Sequence, residues 1–242
     1  MASKNKRKVI VSLITTIAVI FVLVGAFFIY CGIYYHADED AVNSFVSTQN
    51  FTREKLSNNV TIFKGESPVI GIIFYPGAKI DVKAYEPLMS VLAKQGMLCT
   101  LIKMPLNLAI FNVNAADGIQ EKYPEIKKWY LMGHSLGGSI AANYLSKHTN
   151  EFEGIILLAS YSTKDISSSK VLSIYGSEDK VMNKKNYDKN KSNLPSNFTE
   201  KIIQGGCHSY FGMYGLQRGD GNPEITVYDQ IDFTMYTILS WV

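Results

Sequence analysis

The chain has 242 residues, 47% of them apolar, with 24 Lys and Arg against 21 Asp and Glu. That apolar share excludes a disordered chain, and 18 glycines exclude a collagen-like repeat. The net charge of +3 would suit nucleic-acid binding only if it were spread over a domain. It is local instead: Lys4, Lys6, Arg7 and Lys8 precede everything else, and the rest of the chain carries 20 basic and 21 acidic side chains. No nucleic-acid partner is expected.

Val9 to Tyr35 is an uncharged run in which only Ser12, Thr15, Thr16, Gly25 and Gly32 fall outside the apolar set. As a helix it reaches about 40 Å, against about 30 Å for the hydrocarbon core of a bilayer. The basic cluster before it and the acidic stretch His36-Ala37-Asp38-Glu39-Asp40 after it place the N-terminus in the cytoplasm and the remainder outside. The expected organisation is a cytoplasmic tail (1–8), a transmembrane anchor (9–35), a juxtamembrane linker (36–50) and one domain (51–242), a single-pass protein of the cell membrane. Val24-Gly25-Ala26 has the small-residue look of a signal-peptidase site, but the apolar run continues well past it, which favours an uncleaved anchor. Tyr30 before Cys31 argues against lipidation. Cys99 and Cys207 permit one disulfide by arithmetic, and packed free thiols are expected.

Beyond the span, apolar runs at Val60–Phe63, Val69–Tyr75, Leu98–Lys103, Trp129–Met132, Gly154–Ala159, Val171–Tyr175 and Lys201–Gln204 read as strands. Most are separated by segments of helical spacing. Tyr85, Leu88, Met89 and Leu92 make one face, between Asp81 as N-cap and Gly96 as stop; Ile140, Ala141, Tyr144 and Leu145 make another. Thr226-x-x-Asp229 opens a last helix as a capping signal. Near-continuous apolar strands alternating with helices predict an α/β architecture with a mostly parallel sheet covered on both faces.

The strongest local signal is Gly133-His134-Ser135-Leu136-Gly137-Gly138 between a strand and a helix. A serine on so sharp a turn needs small residues two positions away on either side, and the turn presents its hydroxyl at a helix N-terminus. A serine hydroxyl is a poor nucleophile without a base. Of the four histidines, His36 is juxtamembrane, His134 lies inside the tight turn and points elsewhere, and His148 ends the following helix. His208, after the last strand and Gly205-Gly206, is the candidate base. Asp179, just past Val171–Tyr175, is the candidate acid that orients it; Glu178 is a rival that spacing does not separate, and Asp165 reads as a turn residue. Backbone N–H groups of Leu136 and of Ala78, in the loop Pro76-Gly77-Ala78-Lys79, are the candidate oxyanion donors. Lys79, His134, Tyr210 and Phe211 are candidate substrate contacts. The aromatic, Gly-rich stretch through Tyr214, Arg218 and Asp220 is expected to wall the site. No metal or cofactor is expected.

Tyr75-Pro76-Gly77-Ala78-Lys79, Gly133–Gly138, Gly176-x-x-Asp179-x-x-Val181 and Gly205-Gly206-Cys207-His208 occur in this order over about 180 residues. In this the chain resembles serine-nucleophile members of the α/β-hydrolase superfamily, near the dienelactone-hydrolase-like group. The resemblance implies the α/β-hydrolase fold and hydrolysis of an ester, thioester or lactone through an acyl-enzyme. Dienelactone hydrolases proper carry a cysteine where this chain has Ser135, and Pro76 replaces the histidine of the lipase His-Gly motif, so neither substrate is carried over. Only Ser160–Lys170 separates two central strands, which leaves no room for a cap and predicts an open site for small or surface-presented acyl substrates. An acyltransferase or peptidase using the same residues, or a binding domain that keeps the fold, are the alternatives.

Overall fold

The computed structural model describes residues 2–242, with side chains for all of them except 2–7, 9, 11 and 12. Met1 and the side chains of Lys4, Lys6 and Arg7, on which the topology reading leans, lie outside the described residues. The chain divides into two units, Met1–Tyr34 and Tyr35–Val242. The first is one helix, α1 (Ala2–Gly32), whose stretch Leu13–Gly32 is long and apolar enough to cross a membrane.

The second unit begins earlier than the expected boundary at residue 51. Residues 36–50 are not a free linker. They carry α2 (Glu39–Ser47), capped by the Asp38 carboxylate on the Ala41 N–H, and Val42 on it is buried in the core. The stretch reads as polar because α2 turns only a narrow apolar stripe inward. β1 (Thr52–Ser57) and β2 (Val60–Lys64) form a hairpin on the two-residue turn Asn58-Asn59. β1 escapes the apolar-run criterion because it is an edge strand with almost every side chain exposed.

The rest follows the anticipated alternation. β3 (Ile70–Tyr75) leads through a 3₁₀ turn (Val82–Tyr85) into α3 (Glu86–Lys94); Asp81 caps the turn, and Gly96, at φ +84°, ends the segment. Then come β4 (Met97–Ile102), β5 (Lys128–His134), α4 (Leu136–Leu145), β6 (Gly154–Leu158), β7 (Lys170–Gly176), α5 (Lys184–Asn190), β8 (Thr199–Ile203) and α6 (Val227–Trp241). The order in the sheet is β1-β2-β4-β3-β5-β6-β7-β8, parallel from β4 to β8. Neither a helix nor a strand is inserted between β6 and β7, so no cap covers the site.

The strand period of two divides the core. Ile72, Phe74, Tyr130 and Met132 join Leu88, Leu92 and Ile231 on one face, while Ile73, Tyr75 and Leu131 join Ala141, Leu145 and Ile119 on the other. Cys99 and Cys207 are free and buried, and burial, then the nearby Asp220 carboxylate, pushes the Cys207 thiol up to about 12. All parallel strands point their C-terminal ends the same way, and the loops and turns that leave those ends carry Ala78, Ser135, Asp179 and His208.

Candidate active site

β5 ends in a turn that holds Ser135 at φ 53° and ψ −127°, a conformation that costs a non-glycine residue of order 1–3 kcal/mol. The surroundings fix it there. The Ser135 N–H donates to Leu158 O at 2.9 Å, and Ser135 O accepts from the Ser160 hydroxyl at 2.6 Å. The flanking glycines are required by contact: a Cβ at Gly133 would lie 2.6 Å from Gly138 Cα, and one at Gly138 would lie 2.7 Å from Gly133 O. Two strands away, His208 Nδ1 meets Asp179 Oδ2 at 2.9 Å, with both side chains 1% exposed. Asp179 Oδ1 accepts the N–H groups of Val181 and Met182 at 2.9 and 2.8 Å, so the carboxylate cannot turn away. Asp179, and not Glu178, holds the imidazole; Glu178 accepts from the Ser177 hydroxyl, and Asp165 closes its own turn on the Ser167 N–H.

With Nδ1 engaged, the other ring nitrogen of His208 is buried without a hydrogen-bond partner. Such a group costs about 1–3 kcal/mol, which marks a position held for something other than stability. The His208 ring lies 4.6 Å, centroid to centroid, from that of His134, the residue before Ser135.

The backbone around His208 is held by three residues that the sequence pattern does not reveal. Gln230 of α6, fully buried, accepts from the Cys207 N–H at 2.9 Å and donates to Cys207 O at 2.8 Å. Asp220 accepts from the His208 N–H at 3.2 Å, from the Ser209 N–H at 2.8 Å and from the Ser209 hydroxyl at 2.6 Å. Burial works to raise the Asp220 pKa, and these hydrogen bonds with that of Gly221 outweigh it and leave it lowered.

The third is His134, whose Nε2 lies 3.1 Å from His208 O and whose Nδ1 lies 2.8 Å from the Tyr85 hydroxyl. A carbonyl only accepts, so Nε2 carries the proton and Nδ1 accepts from Tyr85. Tyr85 in turn accepts the Gly77 N–H at 3.1 Å. One buried chain thus runs from the loop after β3, through Tyr85 and His134, to the His208 backbone.

Burial, and then the neighbouring His208, holds the His134 pKa well below the ordinary 6.5. Below pH 6.5 the unfolded chain therefore binds a proton that the folded chain refuses, and folding stability falls as pH drops, by up to about 1.4 kcal/mol per pH unit from this residue. Chemical denaturation at pH 7.5, 6.5 and 5.5 should show this loss, and His134→Gln should flatten it; an unchanged slope in the variant would contradict the assignment.

The candidate oxyanion donors flank one contact. Gly77 donates to Tyr85 and Lys79 donates to Asn107 O at 2.8 Å, but the Ala78 N–H between them and the Leu136 N–H at the start of α4 make no hydrogen bond among the described residues. The first turn of α4 abuts the loop after β3 so closely that a Cβ on Gly137 would lie 2.3 Å from both Tyr75 O and Pro76 O. Of the expected substrate contacts, Lys79 and Tyr210 are partly exposed. His134 and Phe211 are instead interior, at 0% and 1% exposure, their rings 5.5 Å apart. In the wall segment Tyr214 is buried, Arg218 is exposed, and Asp220 supports the His208 loop. Among the described residues, no cluster of His, Cys, Asp or Glu side chains is placed to hold a metal ion.

Residues 71–232 match the model of the Alpha/beta hydrolase family. No curated protein matches the sequence. Solved structures with the same fold include a monoacylglycerol lipase of Paleococcus ferrophilus, at 13% identity and a TM-score of 0.58, with 80% of this chain and 100% of that one covered. A dienelactone hydrolase of Anabaena variabilis shares 12% identity with a TM-score of 0.55, over 81% of this chain and 98% of that one. A CIB-like hydrolase of Thermoplasma acidophilum shares 17% identity with a TM-score of 0.51, over 78% and 99%. At these identities the neighbours speak for the fold, and it is the family match over two thirds of the sequence, laid on the strand order and the turn at Ser135, that makes the chain a member of the α/β hydrolase family.

Proposed function

We propose that the chain is a serine hydrolase, anchored in the cell membrane by α1 and working on its outer side, that cleaves ester bonds through an acyl-enzyme. The observation that carries this reading is the unpaired, buried ring nitrogen of His208, whose opposite nitrogen is fixed by Asp179 and whose ring lies 4.6 Å from that of His134, the residue before the strained Ser135. In the first half-reaction Ser135 Oγ attacks the acyl carbonyl carbon and His208 Nε2 takes the hydroxyl proton. Asp179 keeps the ring in the tautomer with Nε2 free and stabilises the imidazolium. The carbonyl oxygen, now carrying the charge, receives the N–H groups of Ala78 and Leu136, a type of contact worth roughly 10²–10³ in kcat per donor. Collapse expels the alcohol, protonated by His208, and leaves an ester on Ser135; water, deprotonated by His208, then releases the acid and restores Ser135. Lys79 and Tyr210, at the edge of this site, are the proposed substrate contacts. The absence of a cap between β6 and β7 supports small or surface-presented acyl groups over long buried ones.

A fluorophosphonate probe applied to the full chain in detergent should label wild type and not Ser135→Ala. Turnover of an ester, thioester, lactone and amide panel, with Ser135→Ala as blank, should be confined to the oxygen and sulfur esters. Equal labelling of the variant would remove Ser135 as nucleophile. Amide cleavage, or acyl transfer to an added alcohol in preference to water, would favour a peptidase or a transferase.

A further inference from the structure

The catalytic unit opens with a contact on its own oxyanion loop. Tyr35 forms an isolated parallel bridge with Ile80, donating to Lys79 O and accepting from the Asp81 N–H, each at 2.8 Å, and its hydroxyl accepts from the Arg218 N–H at 2.9 Å. The first residue of the unit is thus tied both to the loop that follows Ala78 and to the loop that follows His208. Only Ile33 and Tyr34 separate Tyr35 from Gly32, where the apolar helix ends. Three peptide units span at most about 11 Å, a limit set by the covalent chain alone. The twenty residues Leu13–Gly32 match a hydrocarbon core of about 30 Å, beyond which the polar headgroup layer adds only about 6 Å on each side. Tyr35, and through it the two loops it ties, therefore begins no more than three peptide units beyond the apolar span.

Two loops at the mouth of the site carry an unusual surface. After β4, Leu106 and Asn107 both adopt left-handed backbone, at φ 52° and 55°, in a turn fixed by the Lys79 N–H on Asn107 O. Non-glycine residues rarely take this conformation, and in Leu106 it accompanies an apolar side chain left 40% exposed. Ile110 and Phe111 follow at 48% and 47%, and Leu216 on the His208 loop is 49% exposed. Residues 103–112 and 209–219 contain no acidic side chain, while Lys103 and Arg218 on them are basic and exposed. Large apolar side chains at a loop tip, flanked by basic ones, match the chemistry of a bilayer surface: apolar groups enter the acyl boundary and cations meet lipid phosphates.

We propose that Leu106, Ile110, Phe111 and Leu216 form a docking surface for the lipid bilayer, so that the site opens onto the membrane and takes acyl substrates that reside there. The proposal rests on the anchored-hydrolase reading, and its test separates the two. Full-length Phe111→Trp and, independently, Ile110→Trp would be reconstituted into nanodiscs of phosphatidylcholine with or without brominated acyl chains, with wild type supplying the background of Trp129 and Trp241. The added tryptophan is expected to emit at shorter wavelength and to be quenched by the brominated lipid. Ile110→Ser with Phe111→Ser should lower turnover of a lipid-dissolved ester about tenfold while leaving a short water-soluble ester unchanged. A tryptophan that is unquenched and solvent-exposed in both variants, while the chain resists alkaline carbonate extraction, overturns the docking surface and leaves the anchor standing. Release by carbonate overturns the anchor, and the docking surface with it. Quenching without turnover of either ester keeps the docking surface and overturns the hydrolase.

Discussion

Ser135→Ala and His208→Ala are each expected to lower ester turnover by on the order of 10⁶, and the double variant by no more than either alone, because nucleophile and base act as one unit. Asp179→Asn should cost less, about 10⁴, since the amide keeps the position but no longer favours the tautomer that leaves Nε2 of His208 free to accept. Its hydrogen bonds from Val181 and Met182 survive the change, so the loss would be chemical and not conformational. Glu178→Gln is the control: that carboxylate meets Ser177 and not the imidazole, and its replacement should leave turnover unchanged. Steady-state kinetics on one ester, with circular dichroism to show that each variant folds, would decide. A Glu178→Gln loss equal to that of Asp179→Asn would break the pairing assigned to His208.

Gly137→Ala is expected to be among the most destabilising substitutions of one methyl group in the chain. The added carbon would meet two backbone carbonyl oxygens at 2.3 Å, those of Tyr75 and Pro76, and neither can swing aside as a side chain would. Relief requires α4 to move off the loop after β3, which loosens packing at Ala141 and Ala142 and separates the two candidate oxyanion donors. Such overpacking against backbone belongs with changes of more than about 4 kcal/mol, a large share of the roughly 5–15 kcal/mol that holds a domain together. Equilibrium denaturation of the detergent-solubilised chain would show it, either as a collapsed midpoint or as a chain that does not fold. A midpoint within about 1 kcal/mol of wild type would mean that the two elements do not meet so closely.

The residues that sequence reading located best are those whose position is dictated by local geometry. Gly133, Gly137 and Gly138 announce the turn at Ser135 because no larger side chain fits, and the strand runs announce a parallel sheet because both of its faces are covered. Asp179 was separable from Glu178 only in three dimensions: both lie past the end of β7, and the direction of one turn decides which carboxylate reaches His208. The support around His208 was not legible at all. Gln230, Tyr85 and Asp220 come from α6, the turn before α3 and a distal loop, and nothing in their spacing links them to residue 208. His134 and Phe211 lie close in sequence to candidate functional residues, yet both side chains are buried; adjacency along a chain says little about which way a side chain faces. α2 and β1 are hidden in the sequence for a related reason, since an element that buries one stripe or none has little apolar periodicity to detect.

The two rims of the sheet bear on how this chain lives beside its own copies. Anchored as proposed, copies of the chain would meet in two dimensions, at a crowding that a dissolved protein seldom reaches, where any open strand becomes an invitation to zip one molecule onto the next. β1 answers with Arg53, Glu54 and Lys55 in succession and an irregular register between Lys55 and Ser57; β8, at the far rim, sets Glu200 and Lys201 in its middle. Charged, kinked borders of this kind discourage strand-to-strand joining. The two open edges of the sheet are therefore guarded against joining one copy of the chain to the next.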